Sequence, residues 1–193
     1  AASDVYKRQH FCARYPHVRI RLLNYSAPQA VKALENNIID FAIVSTPVLV
    51  HKHMHQEKLV SYDEILLGGT KYKQFAQQVH YLEDISEMPL IGLCEGSSTH
   101  THYSRFFMEH DLPFEPDMEA AMTDQVLPMI THNLGIGFYP KSLALEAIEK
   151  ELVFPIELTE PLPNRDVVVI TNNHTPINSA ARRFLEFLLE NRK

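Results

Sequence analysis

Apolar and polar positions alternate along the chain with two periods that take turns, one suited to strands and one to helices. Val18-Arg19-Ile20-Arg21-Leu22-Leu23 alternates well enough for a strand with one buried face. Ser26-Ala27-Pro28-Gln29 then combines a cap, a first-turn proline and a glutamine able to reach back to the cap. A helix is expected from there, with Ala30, Val31, Leu34 and Ile38 as its buried stripe. Asn36-Asn37 ends it, because asparagine is the non-glycine residue that best tolerates a left-handed conformation. Residues 38–44 are almost continuously apolar, the pattern of a strand covered on both faces, and run into Ser45-Thr46-Pro47. The first part therefore reads β-α-β.

Residues 59–67 read as one further strand, stopped by Gly68-Gly69, and residues 82–87 as a loop leading into the apolar strand 89–94. The turn Glu95-Gly96-Ser97-Ser98-Thr99-His100 follows, and then a helix on which Tyr103, Phe106, Phe107 and His110 are spaced to share one face. A helix start presents unpaired amides and the positive end of the peptide dipoles. One hydroxyl suffices as cap, so three in a row are either an over-provided cap or spare donors for a carboxylate, phosphate or polar small molecule. Residues 118–122 suit a strand, and Thr123 or Asp124 caps a helix with Val126, Met129 and Ile130 inward, Pro128 standing beyond the positions where proline is free. Gly135 and Gly137 suit close backbone approach or positive φ, or else tight helix–strand packing. Residues 142–150 form a short helix, residues 152–158 and 165–171 strands. A last helix, capped by Asn178 or Ser179, turns Ala181, Phe184, Leu185 and Leu188 inward.

Composition bounds the class. The 193 residues are 45% hydrophobic and 22% charged, an ordinary globular balance sufficient for one or two small domains. A net charge of −6 argues against these residues themselves gripping nucleic acid. Cys12 and Cys94 fit no metal spacing and no disulfide framework, as expected in a reducing cytoplasm. Apolar runs are strand-sized, so no membrane span is expected. His51, His53 and His55 alternate onto one face of an extended loop, but no carboxylate or cysteine stands nearby at matching spacing; a solvated loop is expected, with neither metal nor cofactor. Residues 1–9 read as a non-native leader, since Asp4-Val5-Tyr6-Lys7-Arg8-Gln9 looks like one reading frame of a transposon-end adapter used in sequencing libraries.

Several weak motifs occur in one order: Arg14-Tyr15-Pro16-His17-Val18-Arg19-Ile20, Ala33-Leu34 with Ile39-Asp40-Phe41-Ala42-Ile43-Val44, and Pro89-Leu90-Ile91 with Gly96-Ser97. Then come Leu127-Pro128-Met129-Ile130, Leu134-Gly135-Ile136-Gly137-Phe138 and Ala180-Ala181-Arg182-Arg183-Phe184-Leu185. In this order they resemble the effector-binding domain of LysR-type transcriptional regulators. Asn37 and Asn133 stand where that family has glycines, and both residues can still take positive φ.

The resemblance implies an α/β fold of two Rossmann-like subdomains of the type II periplasmic-binding-protein kind, joined by two crossover strands. Residues 10–67 with 167–193 would form the first and 68–166 the second. An effector, a small polar or anionic metabolite, would lie in the cleft between them, touched by Ser26, Ser45 and Thr46 from the first subdomain. Ser97, Ser98 and Thr99, with Thr123 and Gly135 behind them, would come from the second. The family also places a strand ahead of residue 10 inside the first sheet. Without it the neighbours lose a ladder partner, and the chain expressed alone is expected to be unstable or to aggregate. A homodimer or tetramer is implied, as is DNA binding through a winged helix-turn-helix outside these residues. The alternative with the same fold is a solute-binding protein of a transporter. Catalysis is not expected: Ser97 or Ser98 with His100 or His102 lacks both a nucleophile elbow and an orienting acid.

Overall fold

In the computed structural model the described residues are 10–190, so the leader assigned to residues 1–9 lies outside them. Their contacts divide them into two units, residues 10–60 with 166–190, and residues 61–165. The first unit carries α1 (Ala27–Glu35), β1 (Ala42–Ser45) and most of β2 (Met54–Tyr62). The second carries β3 (Glu64–Gly69), β4 (Val79–His80), α2 (Leu82–Ser86), β5 (Leu90–Leu93) and α3 (Ser98–Met108). It continues through β6 (Met118–Ala120), α4 (Thr123–Thr131), β7 (Ile136–Pro140), α5 (Lys141–Glu149) and β8 (Val153–Leu158). Strand β9 (Arg165–Asn172) returns to the first unit, and α6 (Ser179–Glu190) closes it.

In the first unit the order is β1-β9-β2, with β1 antiparallel to β9 through Ala42↔Ile170 and Ser45↔Val167. Helix α1 starts as its residues dictate: the Ser26 N–H donates to Gln29 Oε1 at 3.0 Å, and Ala27, Ala30, Val31 and Leu34 are buried. Asn37 ends it at φ +56°. That turn throws Ile38 off the expected buried stripe and leaves it exposed. It also delays the strand, which runs over 42–45 rather than 38–44, the Ile38 carbonyl accepting from Arg21 Nη2 at 3.1 Å instead of from a ladder.

Two strand expectations are not met. Residues 18–23 carry no regular structure, because among the described residues no strand pairs with them, and alternation without a ladder does not make a strand. Residues 59–67 are two strands rather than one: β2 ends at Tyr62, Asp63 breaks the run, and β3 joins the other sheet. The boundary between the units accordingly falls near residue 60, ahead of 67.

The second unit is a six-stranded mixed sheet of order β4-β8-β3-β7-β5-β6. β3 runs antiparallel to β7 and β8, and β5 parallel to β6 and β7. Both faces are covered. Leu66, Ile136 and Phe138 pack with Leu82, Ile85, Phe106 and Phe107 of α2 and α3 on one side. Leu67, Ile91 and Tyr139 pack with Val126, Ile130, Ala144 and Ala147 of α4 and α5 on the other. The near-continuous apolar strands β3 and β5 follow from that double cover. Residues 82–86 are helical rather than a loop, started by the Tyr81 N–H donating to Asp84 Oδ2 at 2.8 Å. Thr123 is the first residue of α4 rather than its cap; the position before it, Met122, has its N–H taken by Gln125 Oε1 at 3.0 Å. Asn133 takes φ +60° as expected, and its Oδ1 accepts the Lys71 N–H at 2.8 Å. Among the described residues no helix is long and apolar enough to cross a membrane.

Candidate functional site

The tip of α3 in the second unit is built by a short turn. After β5 the Cys94 N–H donates to the Ala120 carbonyl at 3.1 Å, and Gly96 at φ +81° swings the chain into the helix. Ser97 is the cap: its Oγ accepts the His100 N–H at 3.1 Å, and its carbonyl accepts the Thr101 N–H at 3.1 Å. First-turn amides have no intrahelical acceptor. With the His100 amide taken by Ser97, the Ser98 and Thr99 amides are the donors the tip offers to water or a ligand.

Beneath the tip lies a buried polar cluster. Arg165 Nη1 donates to Thr99 Oγ1 at 3.0 Å and to Glu64 Oε1 at 3.2 Å, and the Tyr103 hydroxyl donates to Glu64 Oε2 at 2.5 Å. The Arg165 and Glu64 side chains are 2% and 3% exposed, so each charge is neutralised by the other rather than by water. The guanidinium also lies 5.8 Å from the centre of the Tyr62 ring. Thr99 and Tyr103 stand four residues apart on α3 and so share its inner face. Burial, and then the Glu64 charge, push the Tyr103 hydroxyl well above its ordinary pKa. On the same helix His102 is held down at about 4, first by burial and then by Arg165, while the Pro163 backbone pulls the other way. The cluster locks the Thr99 hydroxyl to a fixed cation.

Thr99 and Thr123 line one small cavity of about 10 Å³, together with Glu64, Gly92, Tyr103 and Phe138. That is about the room one water needs. The two threonines meet because β5 and β6 are parallel neighbours and α3 and α4 both start near their carboxyl ends. Gly135 stands apart from them, at the amino end of the same sheet: β7 pairs with β5 through Leu90↔Ile136, and a Cβ at Gly135 would lie 2.4 Å from the Pro89 carbonyl. Close packing against that backbone accounts for the glycine.

The remaining expected residues belong to the first unit. Ser26 precedes α1, and Ser45 ends β1 opposite Val167. Thr46 is tied to β9, its Oγ1 accepting the Asp166 N–H at 3.0 Å and its own N–H donating to the Asp166 carbonyl at 2.9 Å. The Asp166 carboxylate meets Lys58 Nζ at 2.8 Å. A larger cavity of about 490 Å³ in this unit runs between residues 18–25, residues 38–43 and α6; Ser26, Ser45 and Thr46 do not line it.

Glu64 and Arg165 were not singled out in the sequence; Tyr103 was expected only on the packed face of its helix, and His102 only as a rejected catalytic base. A charged residue opening an otherwise apolar strand is the one available signal, shared by Glu64 and Arg165. Their pairing across 101 positions is invisible without the fold.

A family model described as the LysR substrate binding domain matches residues 8–193. The transcriptional regulator YofA of Bacillus velezensis, of the HTH type, is 20% identical over 178 residues, which cover 92% of this chain and 59% of that protein. The chain thus spans under two thirds of that relative's length. Among solved structures, the CcmR regulatory domain of Synechocystis PCC6803 in complex with 2-PG superposes with a TM-score of 0.86 at 15% identity, over 100% of this chain and 92% of that one. The effector-binding domain of QuiR in complex with shikimate gives a TM-score of 0.83 at 16% identity, over 100% and 91% of the two chains. The shared fold is the α/β, two-subdomain, type II periplasmic-binding-protein-like architecture of such domains. By its matched family model and the fold around it, this chain belongs to the LysR substrate-binding domain family.

Proposed function

We propose that the chain is the ligand-sensing, non-catalytic part of a cytoplasmic, DNA-binding transcriptional regulator, and that the α3 tip holds a small polar or anionic metabolite. The observation that carries this reading is the division of labour at the tip. Arg165, neutralised by Glu64, fixes the Thr99 hydroxyl, while the Ser98 and Thr99 amides and the Ser98 hydroxyl are left for a ligand at the positive end of the helix. The relatives CcmR and QuiR carry 2-PG and shikimate in their solved complexes, which supports a small-molecule effector here. Ser26, Ser45, Thr46 and Thr123 keep the ligand-contact role that the family resemblance suggests, and Gly135 is proposed in the supporting role of packing. DNA contact belongs to a winged helix-turn-helix outside these residues, and the working assembly is a homodimer or tetramer. An effector acts on such an assembly through unequal affinity for its two states.

Catalysis finds no support in the geometry of the serines. The Ser97 hydroxyl is spent on the cap, and His100 Nδ1 pairs with Ser104 Oγ at 3.2 Å rather than with a serine of the tip. The relatives named above are a regulator and regulatory or effector-binding domains, which leaves the transport-receptor alternative without a supporting observation.

The test is a thermal-shift and calorimetric screen of the full-length regulator against small carboxylates, hydroxy acids and phosphate esters. A responding compound should bind about tenfold more weakly to Ser98→Ala, the loss expected for one hydrogen bond to a charged ligand group. Unchanged affinity in both Ser98→Ala and Thr99→Ala would remove the tip from the site.

A further inference from the structure

The large cavity of the first unit, about 490 Å³, is walled by two unbroken runs, residues 18–25 on one side and 38–43 on the other. A sheet face would line it with every second residue and a helix with every third or fourth, so unbroken runs mean that it lies between two backbone edges. The second run leads into β1, whose sole ladder partner among the described residues is β9, and Ala42 and Ile43 of β1 line the cavity. Helices cover the two faces of that edge. Ala42 and Val44 pack with Ala30 and Leu34 of α1, and Phe41 packs with Phe184 and Leu188 of α6. Large apolar side chains stay exposed along the opening, among them Leu22, Leu23, Ile38 and Ile43.

We propose that this slot binds one extended β-strand of a separate polypeptide, apolar on both faces and acidic at its ends. Two facing edges under helical cover ask for backbone donors and acceptors on both sides, which an extended chain carries and a helix or a small molecule does not. The walls stand without the occupant. The Val18 N–H donates to the Tyr15 carbonyl at 3.0 Å, and Val18 and Ile20 pack against Phe184 and Leu188. Arg21 Nη2 donates to the Ile38 carbonyl of the opposite wall at 3.1 Å, holding an acceptor that a strand amide would otherwise take. The family resemblance asks for a strand joined to the chain; a slot with its walls already in place takes one that is not. Cover on both faces requires the donor to be apolar on both. The charged lining residues are the cations Arg19 and Arg21 and the anion Asp40, whose Oδ1 already accepts from Asn178 Nδ2 at 2.6 Å, so acidic ends complement the walls.

The probe is a short capped peptide of valine and isoleucine with glutamate at each end, titrated into the untagged chain by calorimetry and followed by hydrogen exchange. One peptide per chain is expected, with exchange at residues 18–23 slowed at least about tenfold relative to the chain alone. N-methylation of either alternate set of peptide amides should abolish binding, because each set faces one wall. Addition to a single sheet edge would tolerate one of the two. Ala181→Phe, which narrows the slot from α6, should lose binding as well; if that variant melts early, the pair of N-methylated peptides decides. No binding, binding of either methylated peptide, full affinity in a folded Ala181→Phe, or unchanged exchange at residues 18–23 overturns the proposal. So does protection of residues 18–23 without peptide, which assigns the slot to the chain itself when independent of protein concentration and to a second copy when it rises with concentration.

Discussion

His102 shows what burial does to a single residue. The folded chain keeps it neutral down to about pH 4, whereas an unfolded chain protonates it near its ordinary 6.5. Between those values the unfolded state binds more protons, so stability falls as pH drops through that window. The unfolding midpoint followed from pH 7 to pH 4 should therefore decline more steeply in the wild type than in His102→Gln. Parallel curves would show that the imidazole is solvated. Asn133 makes a second case, since it combines φ +60° with a side chain that accepts the Lys71 amide. Asn133→Gly keeps the backbone free and loses the side-chain hydrogen bonds to Lys71 and Thr70, about 1 kcal/mol each. Asn133→Ala adds the cost of a left-handed alanine, about a further 1 kcal/mol. Denaturant unfolding of the two variants should rank alanine below glycine.

At the scale of elements, the cluster below α3 joins residues from separate parts of the second unit. Glu64 opens β3, Arg165 opens β9, and Thr99 with Tyr103 lies on α3. Arg165→Met leaves a carboxylate buried without its cation and should destabilise the chain by about 3–5 kcal/mol. Adding Glu64→Leu should recover much of that loss, because the double variant buries no charge. Failure of the double variant to recover, in the same denaturant titration, would mean that packing rather than charge decides the site. The start of β7 offers a contrasting case. Gly135→Ala puts a methyl against the Pro89 backbone, which cannot rotate away, and should cost about 1–3 kcal/mol of stability. A responding effector should bind the folded Gly135→Ala protein as it binds the wild type, since that glycine is remote from the α3 tip within its own sheet.

Over the whole molecule, protection from exchange should follow the ladders. Amides of β3 and β7, central in the six-stranded sheet and covered on both faces, should exchange slowest. Residues 19–24, which have no strand partner among the described residues, should exchange within the dead time despite their strand-like alternation. Strand-like protection there would mean that they find a partner in solution. By itself the sequence determined what is local: the amphipathic faces of α1, α3, α4 and α6, the reaching-back glutamine of α1, the Ser97 cap, and the two asparagines able to turn left-handed. Order and spacing of weak motifs carried it further, to the family. Only the tertiary structure decided which apolar runs found ladder partners, that residues 59–67 divide between two sheets, and that Glu64 and Arg165 neutralise each other beneath Thr99. The reason is physical. Helix periodicity and capping act over about four residues and are written in neighbouring side chains, whereas strand pairing and charge burial join positions far apart in the chain and exist only once it has closed on itself.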